Sequence, residues 1–244
     1  MSSFLWGQFA ISTPAIVFSD NPEIVFAIGE YNFGGGAYNT FLAERAYRKT
    51  LALDAVYPLA NYQLGRIAFT RGQPLTALSF LNRELELYPD HYRAYYMRGL
   101  VRGFDNARDL VGAEKDFRTF ISYHPDEWAG HNDLAWVLLK AGKWEEARDA
   151  AKEAFDATGD LENPWLWNSL GAALLNLHQY QKAQEAFTKA LEYARDLGAE
   201  DWRLAYPGND PRYAEEGIFD FKNVILANLK RSEELLSTGN VRLF

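Results

Sequence analysis

The chain has 244 residues, of which 48% are hydrophobic and 15% aromatic, and this excludes global disorder, since a disordered chain is poor in both. Its formal charge of −8 argues against a nucleic-acid partner, because a phosphate backbone is held by clustered Lys and Arg. There is no Cys, which excludes disulfides, thiolate metal sites and cysteine nucleophiles.

Residues 4–18, FLWGQFAISTPAIVF, are apolar but broken by Gln8, Ser12, Thr13 and Pro14. A membrane span needs about 20 mostly apolar residues. A secretory signal needs a basic n-region and a small-residue cleavage site, and this stretch has neither. Residues 1–21 therefore read as a strand-like or irregular arm that covers the next segment, or as the end of a hydrophobic anchor lying upstream. No span is expected within the chain, and the cytoplasm is its default compartment.

From residue 22 the sequence repeats. Gly29, Gly65, Gly99, Ala135 and Gly171 are separated by 36, 34, 36 and 36 positions. A second comb runs in step at Ala43, Ala77, Ala113, Ala147 and Ala183. Interlocked combs of small residues mark a tandem array of helical hairpins, in which helices touch where no larger side chain fits. The units are 22–57, 58–91, 92–127, 128–163 and 164–197. The interval between the two combs is 12 residues in three units and 14 in the first and third. The extra residues belong to inter-helix turns at 33–39 and around Asp105-Asn106-Ala107, because loops tolerate insertions and helix interiors do not.

The last unit shows the pattern best. Asn163-Pro164 is a start signal, since Asn caps and Pro suits the first helical position. Trp167, Leu170, Gly171 and Leu174 then share one helical face, and Ala183, Ala186, Phe187, Ala190 and Leu191 share another. Beyond the array, residues 198–211 are rich in turn signals and read as a loop. Residues 212–236 read as an amphipathic capping helix with apolar points at Phe219, Val224, Ile225, Leu229 and Leu235. Residues 237–244 form a tail. An open array leaves the apolar face of its last hairpin bare, so a final helix with one polar side is expected there.

Little in the chain suggests catalysis. His91, His124, His131 and His178 form no HExxH and no helical ligand pair, and they read as structural or solvated. Gly34-Gly35-Gly36 lacks the GK[ST] of a phosphate-binding loop, and no GxSxG occurs. Glu145-Glu146 and Glu215-Glu216 read as solvated acidic faces. No catalytic residue, metal site or cofactor is expected. Trp167, Phe187, Phe117 and Tyr47 sit at core offsets, where packing is explanation enough.

Trp167, Leu170, Gly171, Leu174, Ala183, Phe187 and Ala190 closely resemble a tetratricopeptide repeat. Leu64, Gly65, Ala77, Leu81 and Pro89 match it in the second unit, and Tyr95, Gly99, Ala113, Phe117 and Pro125 in the third. Leu134, Ala135, Ala147, Ala151 and Ala154 match in the fourth. The first unit, with Pro22, Ile28, Gly29, Ala43 and Tyr47, is the most degenerate. The resemblance covers about 175 residues. It implies an all-α, right-handed superhelical solenoid of about five hairpins, closed by the C-terminal helix.

The resemblance also implies a concave wall of first-helix residues: Tyr62, Arg66, Arg93, Tyr96, Asn132, Trp136, Lys140, Trp165 and Asn168. The wall offsets of units two to five hold no carboxylate. Tyr, Trp and Arg anchor interfaces, and Asn can pair with an extended peptide backbone. Chaperone-binding members hold a terminal carboxylate with a clamp of Lys, Asn and Arg. The corresponding positions here are Tyr62, Arg66, Met97, Ala129 and Asp133, so that clamp is missing. The expected function is a non-catalytic scaffold, monomeric, that holds a protein or peptide segment or a partner helix in this groove. The alternative is an assembly subunit that docks through its arm, cap or convex face.

Overall fold

The computed structural model describes residues 13–34, 38–104, 109–206 and 210–240. The expectations for residues 1–12, for the insertions at 35–37 and 105–108, for the turn at 207–209 and for the tail at 241–244 lie outside the described residues. Among the described residues every regular element is helical. A first helix, α1, is described over 13–18. Then come α2 (Pro22–Phe33), α3 (Thr40–Leu53), α4 (Ala60–Thr70), α5 (Pro74–Leu87), α6 (Tyr92–Phe104), α7 (Leu110–Tyr123), α8 (Trp128–Lys140) and α9 (Trp144–Thr158). α10 (Pro164–Asn176), α11 (Tyr180–Ala194), α12 (Ala199–Ala205) and α13 (Ala214–Asn240) complete the chain.

Local chemistry starts these helices where the sequence places them. The Asn21 side chain accepts the Ile24 N–H, Asn39 that of Leu42, and Asn163 those of Trp165 and Leu166. Pro22, Pro74 and Pro164 occupy first turns, where a missing N–H costs nothing. The combs are the contact points of the hairpins. A Cβ added to Gly29 would lie 2.4 Å from the Tyr47 ring, one on Gly171 2.6 Å from Phe187, and one on Gly65 2.8 Å from Leu81. All five alanines of the second comb are fully buried. In the fourth unit Ala135 replaces the glycine, and Ala151 stands at the offset of the bulky partner, so small volume is conserved by exchange.

The chain divides into two compact units, with the boundary after Val101 inside α6. In unit one, Ile16 of α1 packs with Val25, Leu42 and Ala46, and it is 2% exposed. Residues 13–18 are thus helical, not strand-like or irregular. The apolar run is too short to show a period, and tertiary burial of Ile16 decides its state. Further along, Phe33, Ala43, Tyr47, Leu64 and Ile67 form one cluster, and Leu81, Leu85, Ala94, Met97 and Val101 belong to another.

Unit two pairs α8 with α9 and α10 with α11, then packs α13 on α11. The segment 198–211 is not all loop, because it contains α12. The Gly198 N–H donates to the Asp201 carboxylate at 2.8 Å, and the Trp202 indole packs against Gly217, where an added Cβ would meet it. A helix of seven residues is too short to reveal itself by periodicity. α13 runs to Asn240, and it buries Ala214, Ile218, Ile225 and Ser232. Phe219 and Val224, expected to face inward, are 63% and 46% exposed. They lie off the three-and-four stripe that the buried residues define.

Candidate functional site

In unit one the first-helix side is organised by a buried acid. Glu84 of α5 is fully buried and accepts the N–H groups of Leu59 (3.1 Å) and Tyr62 (3.2 Å), with His91 Nδ1 at 2.9 Å. Leu59 has φ 67°, a left-handed conformation costly for a branched side chain, and Glu84 caps the helix that starts there. α4 is thereby fixed, with Tyr62 seated against the His91 ring at 4.7 Å. One turn further, the Arg66 guanidinium lies over the Phe33 ring (4.7 Å) and the Tyr62 ring (5.7 Å). Arg66 also donates to Gln63, which donates to Glu30 at 2.6 Å. Burial raises the Tyr62 hydroxyl above its ordinary range, against the lowering effect of Arg66 and Arg93. Arg93 is exposed and donates to the Tyr92 hydroxyl at 3.3 Å, and Tyr96 is half-buried. Of these four expected residues, the structure joins Tyr62 and Arg66 in one stacked array.

In unit two the expected wall divides. Trp136 is half-buried and Lys140 is exposed, with its ammonium donating to the Gly103 carbonyl at 3.0 Å. Desolvation lowers the Lys140 pKa. The other three expected residues are interior. Asn132 is 3% exposed and accepts the Ser169 hydroxyl at 2.6 Å, which ties α8 to α10. Trp165 is stacked between Trp128 and Phe221, each with its ring centroid 5.2 Å away. Asn168 is 2% exposed and accepts the Asn228 amide at 3.4 Å. Trp165 and Asn168 therefore face α13 and not an open groove. The capping helix packs on α11 where a next first helix would lie, and it covers Trp165 and Asn168.

Three of the four histidines have structural partners. His91 pairs with Glu84, His131 Nε2 lies 2.8 Å from the Pro125 carbonyl, and His178 Nδ1 lies 2.7 Å from the Tyr180 hydroxyl. Among the described residues no group of three or more His, Cys, Asp or Glu is placed to hold a metal ion. No helix among them is long and apolar enough to cross a membrane. Two positions escaped the sequence reading. Glu84 breaks an apolar face at an offset that the hairpin buries, which is a signal visible in the sequence. Trp167, assigned to the core, is only half-buried, and Lys189 Nζ lies 4.1 Å above its ring.

Hairpins that recur along the chain, each closed by a small residue of one helix against the other, define a helical-repeat protein. Models of the tetratricopeptide repeat match residues 42–92, 98–161 and 164–197, and the chain belongs to that family. At that level it is a protein–protein interaction scaffold. Among solved structures, MamA from Desulfovibrio magneticus RS-1 superposes with a TM-score of 0.65 at 21% identity, covering 72% of this chain and 97% of that one. YrrB, described as a TPR protein with an unusual peptide-binding site, gives 0.62 at 16% identity, covering 76% and 93%. Among curated relatives, Protein O-mannosyl-transferase Tmtc3 of Drosophila melanogaster is 24% identical over 191 residues, 78% of this chain and 19% of that protein. Protein FlbA of Caulobacter vibrioides is 27% identical over 178 residues, 73% of this chain and 29% of that protein. The chain thus spans less than a third of the length of either relative.

Proposed function

We propose that the chain is a non-catalytic interaction module whose first-helix side receives a peptide segment or a partner helix. The observation that carries this reading is the Phe33–Arg66–Tyr62–His91 array, in which side chains of successive hairpins in unit one stack into a preorganised strip. Tyr and Arg held rigid in this way lose little entropy on binding, which is the property of interface anchors. Half-buried Trp136 and exposed Lys140 are the corresponding contacts in unit two. Trp165 and Asn168 are covered by α13 and form no part of the contact surface. The transferase activity named for Tmtc3 is not carried over, because the shared stretch is 19% of that protein and falls mostly on the repeats of this chain.

Partners captured from the source organism and identified by mass spectrometry provide the test. Arg66→Ala with Trp136→Ala is expected to weaken capture by about tenfold or more, equivalent to about 1.4 kcal/mol. Helicity and melting temperature should stay close to the parent values. Undiminished capture by a folded double variant would remove the first-helix assignment.

A further inference from the structure

The second-helix side of unit two carries two grooves, one between α7 and α9 and one between α9 and α11, with cavities of ≈ 530 and ≈ 450 Å³. The α7–α9 groove is lined by Glu114 with Lys115, Arg118 and Lys143, and two of those three cations are held in ion pairs. Glu114 accepts from Arg118 (3.0 Å) and Lys143 (2.8 Å), and Glu146 accepts from Arg118 (3.2 Å). The comb register then gives the counterpart of each residue in the next groove. Arg148 stands in the place of Glu114, Lys182 in the place of Glu146, Lys152 in that of Arg118, Gln179 in that of Lys143 and Asp149 in that of Lys115. Both acids have become bases.

The α9–α11 groove is consequently cationic in a chain whose formal charge is −8. Arg148, Lys152, Lys182 and Lys189 line it against a single lining carboxylate, Glu185. Arg148 pairs with neighbouring Asp149 at 2.8 Å, and Asp149 also feels the charge of Lys152. Among the described residues Lys152, Lys182 and Lys189 make no ion pair. The lining includes Trp167, which is held in place from several sides. Its indole N–H donates to the Leu161 carbonyl at 2.8 Å, Phe155 packs at 4.7 Å, and Lys189 lies over the ring. Gathered like charges repel one another, and only Glu185 in the lining, with Asp149 and Glu145 acting on Arg148, offsets them locally.

We propose that the α9–α11 groove docks an acidic segment of a partner protein, with carboxylates meeting Arg148, Lys152, Lys182 and Lys189 and an apolar side chain resting on Trp167. Glu185 and Asp149 beside the cations, together with the net negative charge, disfavour a nucleic acid, whose closely spaced phosphates need an uninterrupted basic track. The cavity matches a few side chains of an extended peptide. This site uses none of the wall residues Tyr62, Arg66, Arg93, Tyr96, Trp136 and Lys140.

The test is calorimetric titration of the full chain with a synthetic peptide of Asp and Glu around a central Leu. Saturable one-to-one binding is expected, weakening several-fold when salt is raised to about 0.3 M, where the screening length is only a few ångströms. Arg148→Glu with Lys182→Glu should reduce affinity by about tenfold or more. That variant installs the acids already accommodated between α7 and α9, so circular dichroism and melting should show it folded. Lys182→Gln with Lys189→Gln must lose binding as well. The Asn/Gln version of the peptide should not bind, and Arg66→Ala with Trp136→Ala should bind the acidic peptide like the parent. Three outcomes would overturn the proposal: equal affinity in the folded charge variants, equal binding of the amide peptide, or single-stranded oligonucleotide binding as tightly as the peptide.

Discussion

Between α7 and α9, the acid one residue past Ala113 draws Arg118 and Lys143 onto itself. Between α9 and α11, the base one residue past Ala147 leaves a cluster of cations around an indole. Unit one repeats the first arrangement, with Glu44 one residue past Ala43 paired to Arg48 and Arg71. The same hairpin backbone accepts both patterns, because the buried combs set the packing while their flanking residues face outward. Folding therefore does not choose the charges beside the combs. A groove that departs from self-neutralisation is free to serve a partner, and of the two grooves described in unit two α9–α11 is the one whose lysines all stay unpaired.

The largest expected effect comes from removing the hairpin beneath that groove. Phe187→Ala should cost about 3–5 kcal/mol, since the ring is fully buried against Gly171. Gly171→Ala should cost about 1–3 kcal/mol through overpacking. The double variant should cost less than the sum, because the smaller residue makes room for the added methyl. Denaturant melts measure all three. Hydrogen exchange should rise in α10 and α11 and much less in α7, which would show that the two grooves rest on separable supports.

A smaller effect is expected from making the grooves alike. Arg148→Glu with Lys182→Glu should leave stability within about 1 kcal/mol of the parent, on the stabilising side, because exposed ion pairs contribute little. A loss well beyond that would mean that the cations of α9–α11 are needed for folding, and the comparison of the two grooves would collapse.

The smallest effect concerns pH. Burial raises the Glu114 pKa, but hydrogen bonds and charge from Lys143 and Arg118 outweigh it and hold the carboxyl below its ordinary value. A carboxyl depressed in the folded state stabilises above its unfolded pKa, and the gain is lost as pH falls through the folded value. Glu114→Gln should therefore lower the neutral-pH melting temperature slightly, by less than about 1 kcal/mol of stability. Parent and variant should converge in acid. A difference that persists below the folded pKa would assign Glu114 a role other than its charge.

Much of the fold was legible in the two combs, because a glycine facing Phe187 or Tyr47 is a requirement of volume and appears directly in the spacing. The Asn163-Pro164 start was legible for the same reason, since capping is local chemistry. α12 and the helix at 13–18 were not legible, as both are too short for a period and depend on Trp202 meeting Gly217 and on Ile16 meeting Val25 and Leu42. The candidate wall was legible as a set of offsets, but which offsets stay open was not. Trp165 and Asn168 occupy the same kind of position as Arg93 and Tyr96, yet α13 lies over them. Their concealment depends on a helix that begins far along the chain. The base-for-acid exchange at Arg148 and Lys182 was present in the comb register, one residue to either side of the alanines.

The sequence by itself determined that this is a tandem array of helical hairpins, where the hairpins make contact, and which side chains have to be small. Volume and capping are local or periodic constraints, so the linear order records them. Tertiary structure alone decided which polar and aromatic residues remain available. Exposure depends on what packs across from each helix, as α13 does over Trp165, and Glu84 acts by reaching the start of a helix that precedes it in the chain.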